Sequence, residues 1–147
     1  ADSYTEVDDK LIPTGYRPAV EGTPFDLREP HKIGERFSEE FGGYDHNFVL
    51  CPKIFKEFGK SSLGLAVVAE GENLKMSVYT DQPGVQCYTG QGLDVTGKDG
   101  VHYGAYAGMC LETQHYPDAI HHPEFASIVL RPQDTYDTFT IYAFSVK

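Results

Sequence analysis

The chain is short of positive charge. Its 147 residues hold 12 Lys and Arg against 22 Asp and Glu, a formal net charge of −10. Phosphate backbones are held by basic surfaces, so this balance excludes a nucleic-acid binder and argues against an anionic membrane surface. It says nothing about a neutral ligand such as a sugar. No apolar run approaches the roughly 20 residues that a membrane-spanning helix needs, and no signal-peptide pattern is present. Cysteine is sparse. Cys51, Cys87 and Cys110 form no Cys-x-x-Cys pair, which removes the usual zinc and redox motifs. Cys87 and Cys110 sit in apolar or aromatic runs and are expected to be small buried hydrophobes in a reducing, cytoplasmic compartment. There is no Gly-x-Ser-x-Gly elbow, P-loop or dinucleotide fingerprint, so serine-hydrolase, nucleotide and NAD chemistries have no support.

Helical periodicity is nearly missing too. One short candidate runs from Ile33 to Phe41, where Ile33, Phe37 and Phe41 share a helical face. Elsewhere the period is two. Leu63 to Ala69 is continuously apolar, as in a strand buried on both faces, and Asn73 to Thr80 alternates. Glu70-Gly71-Glu72-Asn73 between them predicts a hairpin. Further strands are expected at Ser3–Val7, Asn47–Cys51, Gly84–Thr89, Ala107–Gln114, Ala126–Arg131 and Thr138–Val146, and Asp99-Gly100 is a turn signal. Many short strands with almost no helix imply an all-β sandwich or barrel. With no repeat or linker, residues 1–147 read as one domain or part of one.

Several residues could carry chemistry. On the strand at Glu112, side-chain alternation puts Cys110, Glu112 and Gln114 on one face. Glu112 is either an ordinary solvent-facing carboxylate or a group in a cleft. Desolvation in a cleft would make it a better proton acceptor for general-base work. Gln86 and Tyr88 likewise share a face. A Gln amide both donates and accepts, which suits sugar hydroxyls, while an exposed polar pair is the plainer reading. Asp45, in Tyr44-Asp45-His46-Asn47, could cap a turn or bind a ligand. The stretch His115 to Pro123 holds three histidines, yet its two prolines favour a loop and helical His spacing is missing. No metal site is expected there.

Four ordered segments resemble the aldose 1-epimerase (galactose mutarotase) family. They are Ile12-Pro13-Thr14-Gly15 with Gly22-Thr23-Pro24-Phe25-Asp26; Gly43-Tyr44-Asp45-His46-Asn47-Phe48; Thr80-Asp81-Gln82-Pro83-Gly84-Val85-Gln86 with Tyr88-Thr89-Gly90; and Cys110-Leu111-Glu112-Thr113-Gln114 with Pro117-Asp118-Ala119. The resemblance implies that residues 1–147 are the C-terminal part of one large mutarotase-like β-sandwich. It implies interconversion of the α and β anomers of free aldoses such as galactose and glucose, without a cofactor or metal. Glu112 would be the catalytic base, and Asp45 and Gln86 would bind substrate hydroxyls. The family's acid is a histidine in a His-x-Tyr-Phe-Asn-Leu type motif, upstream of these segments. No histidine of this sequence matches it. The expected partners are therefore an aldose sugar and a second chain carrying the N-terminal half with its acid His. The alternative is a non-catalytic sugar-binding or structural protein of mutarotase type.

Overall fold

The computed structural model describes residues 1–147 and consists almost wholly of strands. Ten are formed. They are β1 (Ser3–Tyr4), β2 (Asp45–Val49), β3 (Phe55–Phe58), β4 (Ser61–Glu70), β5 (Leu74–Thr80), β6 (Gly84–Tyr88), β7 (Val95–Thr96), β8 (His102–Tyr103), β9 (Cys110–Gln114) and β10 (Thr140–Val146). One sheet runs β1-β2-β6-β9 and another β10-β5-β4-β3, with every pairing antiparallel. β7 and β8 form a separate hairpin. Its turn has positive φ at both Asp99 and Gly100, the backbone that an Asp-Gly type I′ turn requires. No helix is long and apolar enough to cross a membrane.

The expected all-β sandwich is observed. Phe48 and Val85 lie on the inner face of the first sheet. With Tyr44 and Cys87 they form a buried cluster that meets Val67 of β4. Rings complete it: Phe25 stacks on Tyr4 at 4.1 Å, and Phe41 sits edge-on to Tyr44 at 5.0 Å. Farther along, the sheets are stitched by polar contacts. The Thr113 and Thr140 hydroxyls are 2.5 Å apart, and the Tyr142 hydroxyl donates to the Leu111 carbonyl. Thr113 and Thr140 belong to β9 and β10, the last strands of their sheets on this side.

Four expectations need correction. Ile33–Phe41 forms no helix. Glu35 and Phe37 donate their N–H groups three residues back, and the Ser38 hydroxyl takes the Phe41 N–H. A nine-residue segment with Gly34 inside it is too short to sustain a helical nucleus, and tertiary packing of Phe37 and Phe41 decides its path. Ala126–Arg131 forms no strand: the local pattern is present, but no strand of this chain pairs with it, and Ile128, Val129 and Leu130 stay exposed. Leu63–Ala69 is buried on both faces only near its start. Leu63 is buried but Val68 is exposed, because the outer face of the second sheet is open beyond the Phe58–Tyr79 contact. Cys110 is exposed, since it sits on an edge strand and faces away from the core, whereas Cys87 is buried. Burial pushes the Cys87 thiol up to about 11, so it stays protonated. β3 and the β7–β8 hairpin were not expected from the sequence.

Phe48 is buried within this cluster, beside Tyr44 and Phe25. Phe48→Ala should lower stability by about 3–5 kcal/mol, the usual loss for a deleted core aromatic, read as a shift of the urea midpoint at constant slope.

Candidate active site

The first sheet has a second face. Strand pairing aligns Asn47 with Gln86 and Gln86 with Glu112, and in the adjacent row Asp45 with Tyr88 and Tyr88 with Cys110. Directly paired residues carry Cβ atoms about 4.5–5.5 Å apart. Three strands far apart in sequence therefore set one carboxylate, two amides and a second carboxylate into one small patch. This patch floors a cavity of about 470 Å³, within the range of small-molecule sites. Asp45, Asn47, Gln86, Tyr88, Glu112 and Gln114 line the floor, and Val7, Leu11, Pro13 and Pro117 contribute to the walls.

The polar groups are coupled. Gln86 donates through Nε2 to Asp45 Oδ1 at 2.9 Å, and Asn47 donates through Nδ2 to Thr5 Oγ1 at 2.8 Å. These bonds leave the Gln86 Oε1 and Asn47 Oδ1 atoms buried with no partner. Each of these oxygens can accept a hydrogen bond from a hydroxyl donor. Gly84 makes room for this arrangement. A Cβ there would stand 2.5 Å from Asn47 Oδ1 and 3.0 Å from the Tyr116 ring. The Tyr88 ring is fixed in its turn by the Gly92 N–H, which donates to its hydroxyl.

All three residues singled out from the sequence, Asp45, Gln86 and Glu112, meet at this cavity. Asp45 is a strand residue bonded to Gln86 and caps no turn. Glu112 lies on the edge strand β9 and is exposed rather than enclosed. Thr5, Val7, Leu11 and Pro13 were not foreseen as site residues. The Ile12-Pro13-Thr14-Gly15 segment is one of the family segments, but nothing local in it says that it folds over a sheet face. Asp81 and Gln82, from the same motif as Gln86, serve a different end. The Asp81 carboxylate accepts the Phe139 N–H, and Gln82 Nε2 donates to Thr138 Oγ1, so both anchor the entry to β10.

The histidine stretch is a loop. His121 Nδ1 and Asp118 Oδ1 are 2.5 Å apart, and His122 reaches the Pro13 carbonyl and Glu124. These contacts lash the loop to the cavity wall, and no group of three or more His, Cys, Asp or Glu side chains converges as metal ligands.

The model of the family described as aldose 1-epimerase matches residues 1–143. The chain belongs to the aldose 1-epimerase family. It is 46% identical over 149 aligned residues to galactose mutarotase of Homo sapiens, covering 99% of this chain and 42% of that protein. It is 35% identical to aldose 1-epimerase of Escherichia coli, covering 98% and 43% respectively. Among solved structures, an aldose epimerase homologue from C. elegans superposes with a TM-score of 0.79 at 28% identity, over 99% of this chain and 44% of that one. The Lactobacillus acidophilus galactose 1-epimerase, 24% identical with a TM-score of 0.69 over 99% of this chain and 42% of that one, shares the fold. The chain thus spans less than half the length of the relatives it matches.

His46 shows how the family segment around Asp45 divides its labour. Its neighbours in sequence face the cavity, but its own ring packs among Tyr4, Phe25 and Phe41 on the core side. Burial lowers its pKa, against a smaller upward pull from Asp45. Below the ordinary histidine value near 6.5 the unfolded chain takes up a proton that the folded chain refuses, so acidification favours unfolding. The melting temperature should therefore fall between about pH 7.5 and 5.5, and His46→Phe should shrink that fall.

Proposed function

We propose that this epimerase chain supplies the base side of an aldose mutarotase site, with Glu112 as general base and Asp45 and Gln86 as hydroxyl-binding residues. The observation that carries the reading is the pairing of Gln86 with Glu112 across β6 and β9, beside the Asp45–Gln86 hydrogen bond, on the floor of one cavity. Family membership and the names of the relatives support the chemistry. Free aldoses such as galactose and glucose are the proposed substrates.

The reaction follows from the groups. Glu112 takes the proton from the anomeric hydroxyl, and that O–H electron pair becomes the second bond of C1=O. The C1–O5 bond breaks, and O5 leaves with a proton from a general acid. Rotation about C1–C2 turns the other carbonyl face towards O5, and ring closure reverses both proton transfers. Each transfer by a positioned group contributes about 10²–10⁴-fold. Asp45 can accept from a sugar hydroxyl, and Gln86 Oε1, buried without a partner, can accept from another.

No histidine lies among the residues lining this cavity. The acid is accordingly assigned to the part of the family fold that this chain does not span, carried by a second polypeptide or by further sequence of the same one. Intact-mass analysis followed by polarimetry of freshly dissolved α-galactose tests the reading. Catalysed mutarotation should accompany material that contains the remaining part, and Glu112→Gln should reduce it at least about 100-fold. Glu112 is exposed, so the same variant should keep the parent melting temperature. Activity that survives Glu112→Gln removes the base assignment. Full activity from a lone 147-residue species removes the assignment of the acid.

A further inference from the structure

Residues 4–18 fold back on themselves as a narrow ribbon. The Glu6 N–H donates to the Tyr16 carbonyl, the Thr14 N–H to the Glu6 carbonyl and the Asp8 N–H to the Ile12 carbonyl, while Val7 bridges Pro13. The ribbon leaves the first sheet at Thr5, whose N–H donates to the Asn47 carbonyl and whose hydroxyl oxygen accepts from the Asn47 amide. Its tip stands free, with Leu11 at φ +62° and 66% exposed. Along it, Val7, Leu11 and Pro13 supply wall to the candidate sugar cavity. A two-stranded ribbon has little stability of its own, so the position of this wall depends on what holds the ribbon beyond its root.

The histidine loop provides that hold. It is rooted on the sheet: Tyr116, Ala119 and Phe125 are buried together against Val49 of β2, with the Tyr116 and Phe125 rings edge-on at 5.1 Å. The His122 N–H donates to the Ala119 carbonyl and the Phe125 N–H to the His122 carbonyl, and the His122 ring packs on Phe125 at 4.9 Å. So mounted, His122 Nε2 stands 3.1 Å from the Pro13 carbonyl oxygen, and the next acceptor, Asp118 Oδ2, is 3.7 Å away. A carbonyl can only accept, so Nε2 carries the proton and donates it. On the other side of the ring, Nδ1 lies 3.2 Å from Glu124 Oε1. The ribbon comes this close because residue 15 is glycine. Gly15 has φ +89°, and a Cβ there would stand 2.7 Å from Glu124 Oε1 and 2.9 Å from His122 Nδ1. We propose that His122 is a positioning residue of the sugar site. By donating to Pro13 it latches the ribbon to the loop that follows β9, and so sets how far the Val7, Leu11 and Pro13 wall stands from the strand that carries Glu112. Pro117 of the same loop lines the cavity too, so the latch joins two walls of one site. The role rests on the proposed mutarotase reading of the cavity, and it adds what holds the wall in place.

The test uses material that contains the remaining part of the fold, with two variants that separate the ring from its donor. His122→Phe keeps an aromatic ring on Phe125 but has no N–H. His122→Gln loses the ring, yet its Nε2 reaches the same place and donates. Steady-state polarimetry of α-galactose and hydrogen exchange of the amides of residues 7–16 are read for each. His122→Phe should raise KM about three- to tenfold, as loss of one hydrogen bond does, with kcat within about twofold, because a wall grips substrate and transition state alike. It should speed exchange across the ribbon by a similar factor. His122→Gln should bring both readings back to within about twofold of the parent. A ring that only packs predicts the opposite order, Phe tolerated and Gln impaired, and that order overturns the latch. A KM indifferent to both variants overturns it as well, even where exchange changes. If His122→Phe melts more than about 5 °C below the parent, Gly15→Ala takes its place, since its Cβ drives the ribbon off His122 and Glu124 while the ring keeps its packing. The same rise in KM is then expected, and an unchanged KM removes the latch. Mutarotation that is lost in Glu112→Gln but indifferent to His122→Phe leaves the mutarotase reading standing without the latch. A parent that binds galactose without mutarotation removes that reading, and the galactose dissociation constant then takes the place of KM with the same outcomes for the latch. A parent that neither turns over nor binds galactose removes both.

Discussion

The two-residue alternation of β2, β6 and β9 is the constraint on which the rest of the structure depends. In each strand one residue faces the core and the next faces the cavity. His46, Phe48, Val85, Cys87 and Leu111 take the inner side, while Asp45, Asn47, Gln86, Tyr88 and Glu112 take the outer. The hydrophobic side fixes the register, because slipping one strand by a single residue would bury its polar set and expose its apolar one. The same register fixes the chemistry. Glu112 faces Gln86 because Leu111 and Thr113 face the core.

The supporting contacts act on that register from both ends. Gly84 leaves space for the Asn47 side chain, and Asn47 ties the first sheet to Thr5. Thr89 holds the Tyr44 N–H at 2.9 Å through its hydroxyl, just before β2 begins. Asp81 and Gln82 anchor the entry to β10 immediately ahead of β6. Few residues of the family segments touch the cavity.

Much of this was legible in the sequence, for physical reasons. Alternation revealed β5, β6 and β9, and Asp99-Gly100 announced its turn, because each is a local preference of the chain. Strand pairing is not local. No pattern within Asn47–Cys51 or Ala107–Gln114 says that the two lie one strand apart, so the meeting of Asp45, Gln86 and Glu112 required either the fold or the family likeness. Segments whose fate depends on distant partners depart from their local pattern. Ile33–Phe41 has a helical stripe, but its rings are claimed by the aromatic cluster around Tyr44. Ala126–Arg131 has strand composition and nothing to pair with. The wall formed by Thr5, Val7, Leu11 and Pro13 was invisible for the same reason.

Glu112 stands on the last strand of its sheet, at an open edge rather than in its middle. On the proposed assignment, a proton acceptor at such a seam makes turnover a report of assembly. On that assignment each portion alone would have one hand of a two-handed reaction and would be chemically mute. An enzyme divided along this line would behave as a coincidence detector, giving a signal only when its two parts are in the same place.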